Sequence, residues 1–129
     1  LEVPVVAAGG ISTGDQALAA LSLGAELCYM GTRFIASTEC AASDEYKRLV
    51  VEATPDEVVY TNEVSGVHAN FLRATLPQQG GGEGGQHKKW RDVWSAGQGV
   101  AQVREVKPIS EIVQELAWGY HERLRALTS

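Results

Sequence analysis

Basic residues are scarce in this sequence, and their scarcity limits the partners it can have. The 129 residues include 11 lysines and arginines against 16 aspartates and glutamates, which gives a net charge of −5. Because affinity for a phosphate backbone depends on clustered Lys and Arg, this balance argues against a nucleic-acid partner. The basic cluster at Lys88-Lys89-Trp90-Arg91 is more typical of a solvated helix start.

Cysteines and long apolar runs are also scarce. The two cysteines, Cys28 and Cys40, are too few for a disulfide framework, and neither has the spacing of a metal site. No stretch approaches the roughly 18 apolar residues of a membrane span, and the first residues lack the basic-then-apolar pattern of a signal peptide. We therefore expect a cytoplasmic protein with reduced cysteines, no metal and no membrane contact.

Two short apolar runs predict adjacent parallel strands. Val3 to Ala8 is β-branched and does not alternate with polar residues, which is typical of a strand buried on both faces of a parallel sheet. Leu27 to Met30 is a second such run. Between them, Gln16 to Leu23 is predicted to be helical, with a capping-box-like start from Ser12 to Asp15. The lengths of helix and strand match, so both strands should end at the same edge.

A glycine turn follows each predicted strand. Gly9 and Gly10 close the first, and Gly31 closes the second, directly before Thr32. Amides without neighbouring Cβ atoms, close to a helix N-terminus, bind anions, and the Thr32 hydroxyl adds a donor. Taken singly, such glycines more often only permit tight turns. Their pairing at adjacent strand ends favours a phosphate site made by Gly9, Gly10, Gly31 and Thr32.

These residues carry a resemblance to a known family. The chain resembles the last two βα units and the carboxyl-terminal segments of the nitronate monooxygenases, formerly called 2-nitropropane dioxygenases, which are FMN-dependent TIM barrels. The segments that carry the resemblance are Ala-Ala-Gly-Gly-Ile at 7–11, Met-Gly-Thr-Arg-Phe at 30–34, Ser-Gly-Val-His-Ala-Asn-Phe-Leu at 65–72 and Trp-Arg-Asp-Val-Trp-Ser-Ala-Gly-Gln-Gly at 90–99. The last segment narrows the likeness to these enzymes and their flavin-dependent enoyl-reductase relatives.

The resemblance implies an FMN-dependent oxidation of alkyl nitronates by O2, which yields a carbonyl compound and nitrite. This segment would supply the FMN phosphate site, and the catalytic histidine would lie in strands upstream of Leu1, so no catalytic residue is named. An NADH:quinone reductase or an enoyl-acyl-carrier-protein reductase on the same barrel are alternatives. Two further hypotheses are an orphan half-barrel that serves as an assembly module, and a related barrel that binds a phosphorylated metabolite without flavin.

The expected architecture is α/β, the carboxyl-terminal part of a (β/α)8 TIM barrel. Such barrels need about 250 residues, so we expect a fragment that packs against a missing amino-terminal portion or another chain. Residues 1–54 are predicted to hold two βα units, and Ser43 to Ala53 is predicted to be an outer helix with one apolar stripe. Residues 55–107 are predicted to form an extra arm that returns to the barrel mouth. The β-prone runs Val58 to Thr61 and Val67 to Leu72 suit a small hairpin or an extended arm, and Trp90, Val93 and Trp94 suit one helical turn. Within that arm, 77–87 is predicted to be a flexible glycine-rich loop. Residues 108–129 are predicted to form a C-terminal helix with one buried apolar face.

Several other residues are weaker site candidates. Arg33 could pair with a phosphate, but a structural ion pair is the commoner fate of an arginine just past a strand. His68 lies in the predicted arm and is interpreted as a surface or packing residue, as are His87 and His121. The resemblance implies that Gln98 lies near the barrel mouth. A solvent-facing helix cap is an equally good interpretation of Gln98.

Overall fold

The computed structural model describes residues 3–77 and 92–129. Four helices and four strands occur within these ranges. They are β1 (Val6–Ala8), α1 (Gly14–Ser22), β2 (Leu27–Tyr29), α2 (Thr32–Ile35), α3 (Asp44–Glu52), β3 (Val58–Thr61), β4 (Ala69–Leu72) and α4 (Ile109–Thr128). Short 3-10 turns lie at Pro55–Glu57, Arg73–Thr75 and Gln98–Gln102.

The first two strands form a parallel pair with α1 as the crossover. Val6 lies opposite Leu27, and Ala8 lies opposite Tyr29. Parallel pairing requires such a crossover, because both strands must run in one direction. The prediction of two adjacent parallel strands that end at one edge is therefore confirmed.

The second pair of strands is an antiparallel hairpin. β3 and β4 pair from Val58 opposite Leu72 to Thr61 opposite Ala69, as the β-prone runs predicted. A third segment continues the pairing, because the amide of Leu72 donates to the carbonyl of Trp94 at 2.9 Å. The helical turn expected around Trp90, Val93 and Trp94 is thus wrong at Trp94, because Trp94 and Ser95 pair with the edge of the hairpin. Trp90 lies outside the described residues.

The hydrophobic core lies between α3, the hairpin and the turn at Gln98–Gln102. Val50 of α3 and Val100 of the turn are fully buried, and Leu72 is 2% exposed. Tyr46 packs its ring edge-on against Trp94, with centroids 4.9 Å apart. The apolar stripe predicted for α3 therefore does face the core. Burial of apolar surface on this scale is the main source of stability in a domain.

The parallel pair, by contrast, is uncovered on its own. Val5, Leu27 and Tyr29 are 57%, 61% and 69% exposed. The sequence predicted strands buried on both faces, so in this chain alone that expectation is wrong. Two parallel strands with one crossover offer nothing to cover these apolar side chains.

The glycine-rich loop predicted at 77–87 lies outside the described residues, apart from Pro77.

The C-terminal helix α4 crosses α1 at a contact between two backbones. A Cβ atom added to Gly14 would lie 2.1 Å from the carbonyl oxygen of Leu116 and 2.3 Å from the nitrogen of Tyr120.

Glu39 caps the start of α4, since its carboxylate accepts a hydrogen bond from the Ile109 amide at 2.9 Å. This bond lowers the pKa of Glu39. On the apolar face predicted for α4, Ile112 is buried and Leu116 and Tyr120 are half-buried, so the buried face is confirmed only in part.

Within residues 3–77 and 92–129, no helix combines the length and the apolarity that crossing a bilayer requires.

Replacing Gly14 by alanine tests the helix crossing. The added methyl group would meet the α4 backbone well inside van der Waals contact. We expect the free energy of unfolding of the whole protein to fall by about 1–3 kcal/mol, because the helices must separate. Thermal unfolding followed by circular dichroism measures the loss.

Gly119→Ala is the matched control for this prediction. Its added Cβ would lie 3.6 Å from Gly14, which is ordinary contact, so we expect little loss of stability. Equal destabilisation by the two variants would contradict the proposed backbone contact.

Candidate cofactor-binding site

The two glycine turns lie side by side at the carboxyl end of the parallel pair. Because Ala8 is opposite Tyr29, Gly10 and Gly31 stand at equivalent positions, each two residues beyond the last paired residue. Gly9 and Gly10 have φ values of +91° and +70°, a backbone conformation that L side chains rarely adopt. An added Cβ at Gly9, Gly10 or Gly31 would have no atom of residues 3–77 or 92–129 within 4 Å. The turns therefore border open space.

The amides of the turns differ in whether the protein already uses them. Within the described residues, the amides of Gly10 and Gly31 donate to no protein acceptor. In contrast, the amides of Ser12 and Thr13 both donate to Oε1 of Gln16, at 2.8 and 3.2 Å. The amides of Gly10 and Gly31 are therefore available for an anion, whereas those of Ser12 and Thr13 are already used.

The start of α1 also differs in register from its prediction. Thr13 is the N-cap residue and Gln16 completes the box, whereas the sequence favoured Ser12 with Asp15. Asp15 instead accepts a hydrogen bond from the Thr13 hydroxyl, and this bond is the main cause of its lowered pKa. Ser12 is excluded from capping because its hydroxyl is engaged elsewhere.

A segment distant in sequence reaches both turns. The hydroxyl of Ser12 donates to the carbonyl of Gly99 at 3.0 Å, in a buried position. The amide of Gly97 donates to Oγ1 of Thr32 at 2.9 Å. Gln98, between these two glycines, is exposed at the start of the 3-10 turn, so the segment begins a helical turn and does not end one.

Arg33 points away from the turns and into the protein. Its side chain is 6% exposed, and Nη1 donates to the carbonyls of Glu105 at 3.2 Å and Ala36 at 3.4 Å. Burial lowers the pKa of this guanidinium, and the nearby Glu115 and Glu105 carboxylates act in the opposite direction. The structural role favoured from the sequence is therefore confirmed, but the expected ion pair is wrong, because the partners of Arg33 within the described residues are backbone carbonyls.

The other sequence candidates do not gather into a site. His68 is exposed and stacks on Tyr60 with ring centroids 4.9 Å apart, and His121 is exposed on α4. His87 lies outside the described residues. Cys28 and Cys40 are free thiols. In the described parts of the chain, no group of three or more His, Cys, Asp or Glu residues could hold a metal ion.

A cleft of about 460 Å³ lies on the other side of Ser12, between the start of α1 and α4. Within its lining, Lys107 is paired with Glu105 at 2.8 Å and also with Glu115. These carboxylates raise the pKa of Lys107. A cation already neutralised by its neighbours offers little attraction to an anion, so Lys107 is a poor candidate ligand for a phosphate.

Comparison with known proteins identifies one matching family and several similar proteins. A family model described as nitronate monooxygenase matches residues 1–81. The nitronate monooxygenase npaC of Metarhizium robertsii is 37% identical over 124 residues, which are 95% of this chain and 34% of npaC. Among solved structures, FabK from Thermotoga maritima matches with a TM-score of 0.79 and 28% identity, over 99% of this chain and 47% of FabK. Nitroalkane oxidase from Streptomyces ansochromogenes matches with a TM-score of 0.76 and 30% identity, over 98% of this chain and 42% of the oxidase.

The α/β fold and these relatives define a class of protein, the flavin oxidoreductases. The family model matches well over half of the sequence, which is enough to assign the chain to one family within this class. This chain belongs to the nitronate monooxygenase family. It spans about a third of npaC and less than half of each solved relative.

The bridging roles of Ser12 and Gly99 were not predicted. Their hydrogen bond joins residues 87 positions apart, and neither residue belongs to a motif that specifies such a contact. The available signal is the abundance of small residues from Ser95 to Gly99. Small residues indicate that the backbone lies close to another part of the protein, but they do not identify that part.

The structural role of Arg33 can be tested by Arg33→Met. Loss of the guanidinium would leave the Glu105 carbonyl without this donor and would remove one of the two donors to the Ala36 carbonyl, so we expect the free energy of unfolding to fall by about 1–3 kcal/mol. Flavin affinity should change little. The measurements are thermal unfolding and a flavin titration. The control is Arg48→Met, which removes an exposed ion pair with Glu52 and should cost little. A selective loss of flavin affinity in Arg33→Met would contradict the assignment.

Proposed function

We propose that this chain is the carboxyl-terminal part of an FMN-dependent barrel enzyme and that Gly9, Gly10, Gly31 and Thr32 hold the FMN phosphate. The single observation that carries the proposal is the juxtaposition of two glycine turns at the ends of paired parallel strands. Family membership supports a flavin cofactor, and the open space at the turns supports its terminal phosphate as the bound group.

The residues at the turns fit an oxyanion in size and in chemistry. Among the described residues the amides of Gly10 and Gly31 have no acceptor, and the missing side chains leave room beside them. The Thr32 oxygen accepts from Gly97, so its own proton is available for a phosphate oxygen. When bound, the flavin supplies the redox chemistry, while these residues anchor and orient it.

The remainder of the barrel is proposed to cover the parallel pair. Val5, Leu27 and Tyr29 are largely exposed here, and apolar strand faces of this kind are normally buried in α/β proteins. The chain accounts for less than half of each solved relative, which supports an upstream portion as the covering partner. The last two βα units, residues 1–54, would then contribute one sector of the barrel.

The proposed reaction is the oxidation of alkyl nitronates by O2 to a carbonyl compound and nitrite. The likeness to npaC and to nitroalkane oxidase supports it. A second candidate, the reduction of enoyl thioesters, is supported by the likeness to FabK. The catalytic base for either reaction is expected upstream of Leu1.

Cofactor and reaction can be tested on the whole protein. Heat denaturation should release a yellow compound that chromatography identifies as FMN. Added alkyl nitronate should then cause oxygen uptake and nitrite formation. Consumption of an enoyl thioester without nitrite production would favour the second candidate. A colourless protein that binds no added flavin would overturn both.

Gly31→Val tests the phosphate anchor most cleanly. Gly31 has φ −108°, which any residue adopts, and its Cβ would meet no protein atom, so the fold should tolerate the change. The valine side chain would occupy the space proposed for the phosphate. We expect FMN affinity to fall at least tenfold, or about 1.4 kcal/mol. Fluorescence titration of the apoprotein measures the change.

Gly10→Val should also weaken FMN binding, but valine at φ +70° strains the backbone as well. Riboflavin provides the control for Gly31→Val, because it carries the same ring system without the phosphate. If FMN and riboflavin affinities fall equally, or if flavin occupancy is unchanged, the phosphate assignment is wrong.

A further inference from the structure

The segment from Gly97 to Gly99, here called the bridging segment, contacts the residues that follow both glycine turns. Ser12 comes two positions after Gly10, and its hydroxyl donates to the Gly99 carbonyl at 3.0 Å. Thr32 comes directly after Gly31, and its oxygen accepts from the Gly97 amide at 2.9 Å. One short segment therefore links the two turns beyond the point where strand pairing ends.

The fit of the bridging segment is close at Gly99. A Cβ atom added there would lie 2.4 Å from the Ser12 hydroxyl oxygen and 4.0 Å from Cβ of Thr32. Ser12 itself is 5% exposed. Hydrogen bonds in buried positions hold their geometry well, because water cannot replace either partner. A side chain larger than hydrogen at Gly99 would push Ser12 away.

The bridging segment also sets the direction of the Thr32 proton. A hydroxyl group has one proton to donate and accepts through its lone pairs. The Gly97 amide occupies an acceptor position on Oγ1, and within the described residues the Thr32 hydroxyl donates to no protein acceptor. The Gly97 bond therefore limits the rotation of the hydroxyl and leaves its proton for a ligand.

We propose that the bridging segment is the positioning element of the phosphate site, with Ser12 and Gly99 as positioning residues. It fixes the spacing of the two turns and orients Thr32, while neither Ser12 nor Gly99 contacts the phosphate. This inference rests on the proposed phosphate site. Its consequence is that changes at Ser12 or Gly99 weaken the binding of the phosphate and leave the binding of the flavin ring intact.

The test compares FMN with riboflavin in the whole protein. The ratio of the two dissociation constants isolates the contribution of the phosphate, because the compounds otherwise share their structure. Ser12→Ala removes the hydrogen bond to Gly99, and Gly99→Ala displaces the Ser12 hydroxyl. We expect each variant to lower the preference for FMN over riboflavin about five- to tenfold, with riboflavin affinity nearly unchanged.

Ser22→Ala is the matched control. The Ser22 hydroxyl donates to the Leu18 carbonyl at 2.7 Å, within the same helix that follows Ser12, but at its far end. Its loss removes a serine-to-carbonyl bond of the same kind without touching the turns. The preference for FMN should remain at the wild-type value, whatever the change in thermal stability.

The double variant adds a readout that general destabilisation does not produce. With Ser12 already alanine, a Cβ at Gly99 would meet its next Ser12 neighbour, the Cβ atom, at 3.8 Å, so the clash disappears. Adding Gly99→Ala to Ser12→Ala should therefore cause little further loss of the FMN preference. Additive losses would show that the two residues act separately and would overturn the inference.

The failures of the two proposals are distinguishable. If the wild-type protein binds FMN no more tightly than riboflavin, the phosphate site itself is wrong. If wild type prefers FMN and both Ser12→Ala and Gly99→Ala keep that preference, the site stands and the positioning role is wrong. Should Ser12→Ala fail to fold, Gly99→Ala decides the question, since it retains the serine hydroxyl.

Discussion

The in-register parallel pairing of β1 with β2 is the constraint on which the candidate site depends. Pairing Ala8 with Tyr29 leaves Gly10 and Gly31 at matching distances beyond the strand ends. A shift by a single residue would turn every side chain of the shifted strand to the opposite face and move the two turns out of line. The crossover helix α1 makes the parallel pairing possible, because it returns the chain to the end of the sheet at which the first strand began.

Much of this arrangement could be predicted from local sequence. The strands followed from short apolar runs, the hairpin from its β-prone segments, and α3 from an apolar stripe whose start is capped by Ser43. The site residues Gly9, Gly10, Gly31 and Thr32 were found because turn chemistry and strand order are both local properties. Their role as phosphate ligands remains a prediction.

The remainder could not be predicted because it depends on distant partners. The cap of α1 lies at Thr13 because the hydroxyl of Ser12 is bonded to Gly99. Trp94 and Ser95 are extended and not helical because the edge of β4 offers them backbone partners. The apolar stripe on α4 predicts a buried face, but within the described residues α1 is the main element that packs against it. Helical periodicity describes a surface and does not identify what packs on it.

The contacts of the bridging segment join residues 87 and 65 positions apart. Closing loops of that length costs chain entropy, so such contacts generally form late in folding, after local elements are in place. During synthesis, the strands and both glycine motifs leave the ribosome long before Gly97 does. A polypeptide that ended before residue 97 would retain every motif of the predicted anchor and yet lack the residues that align it.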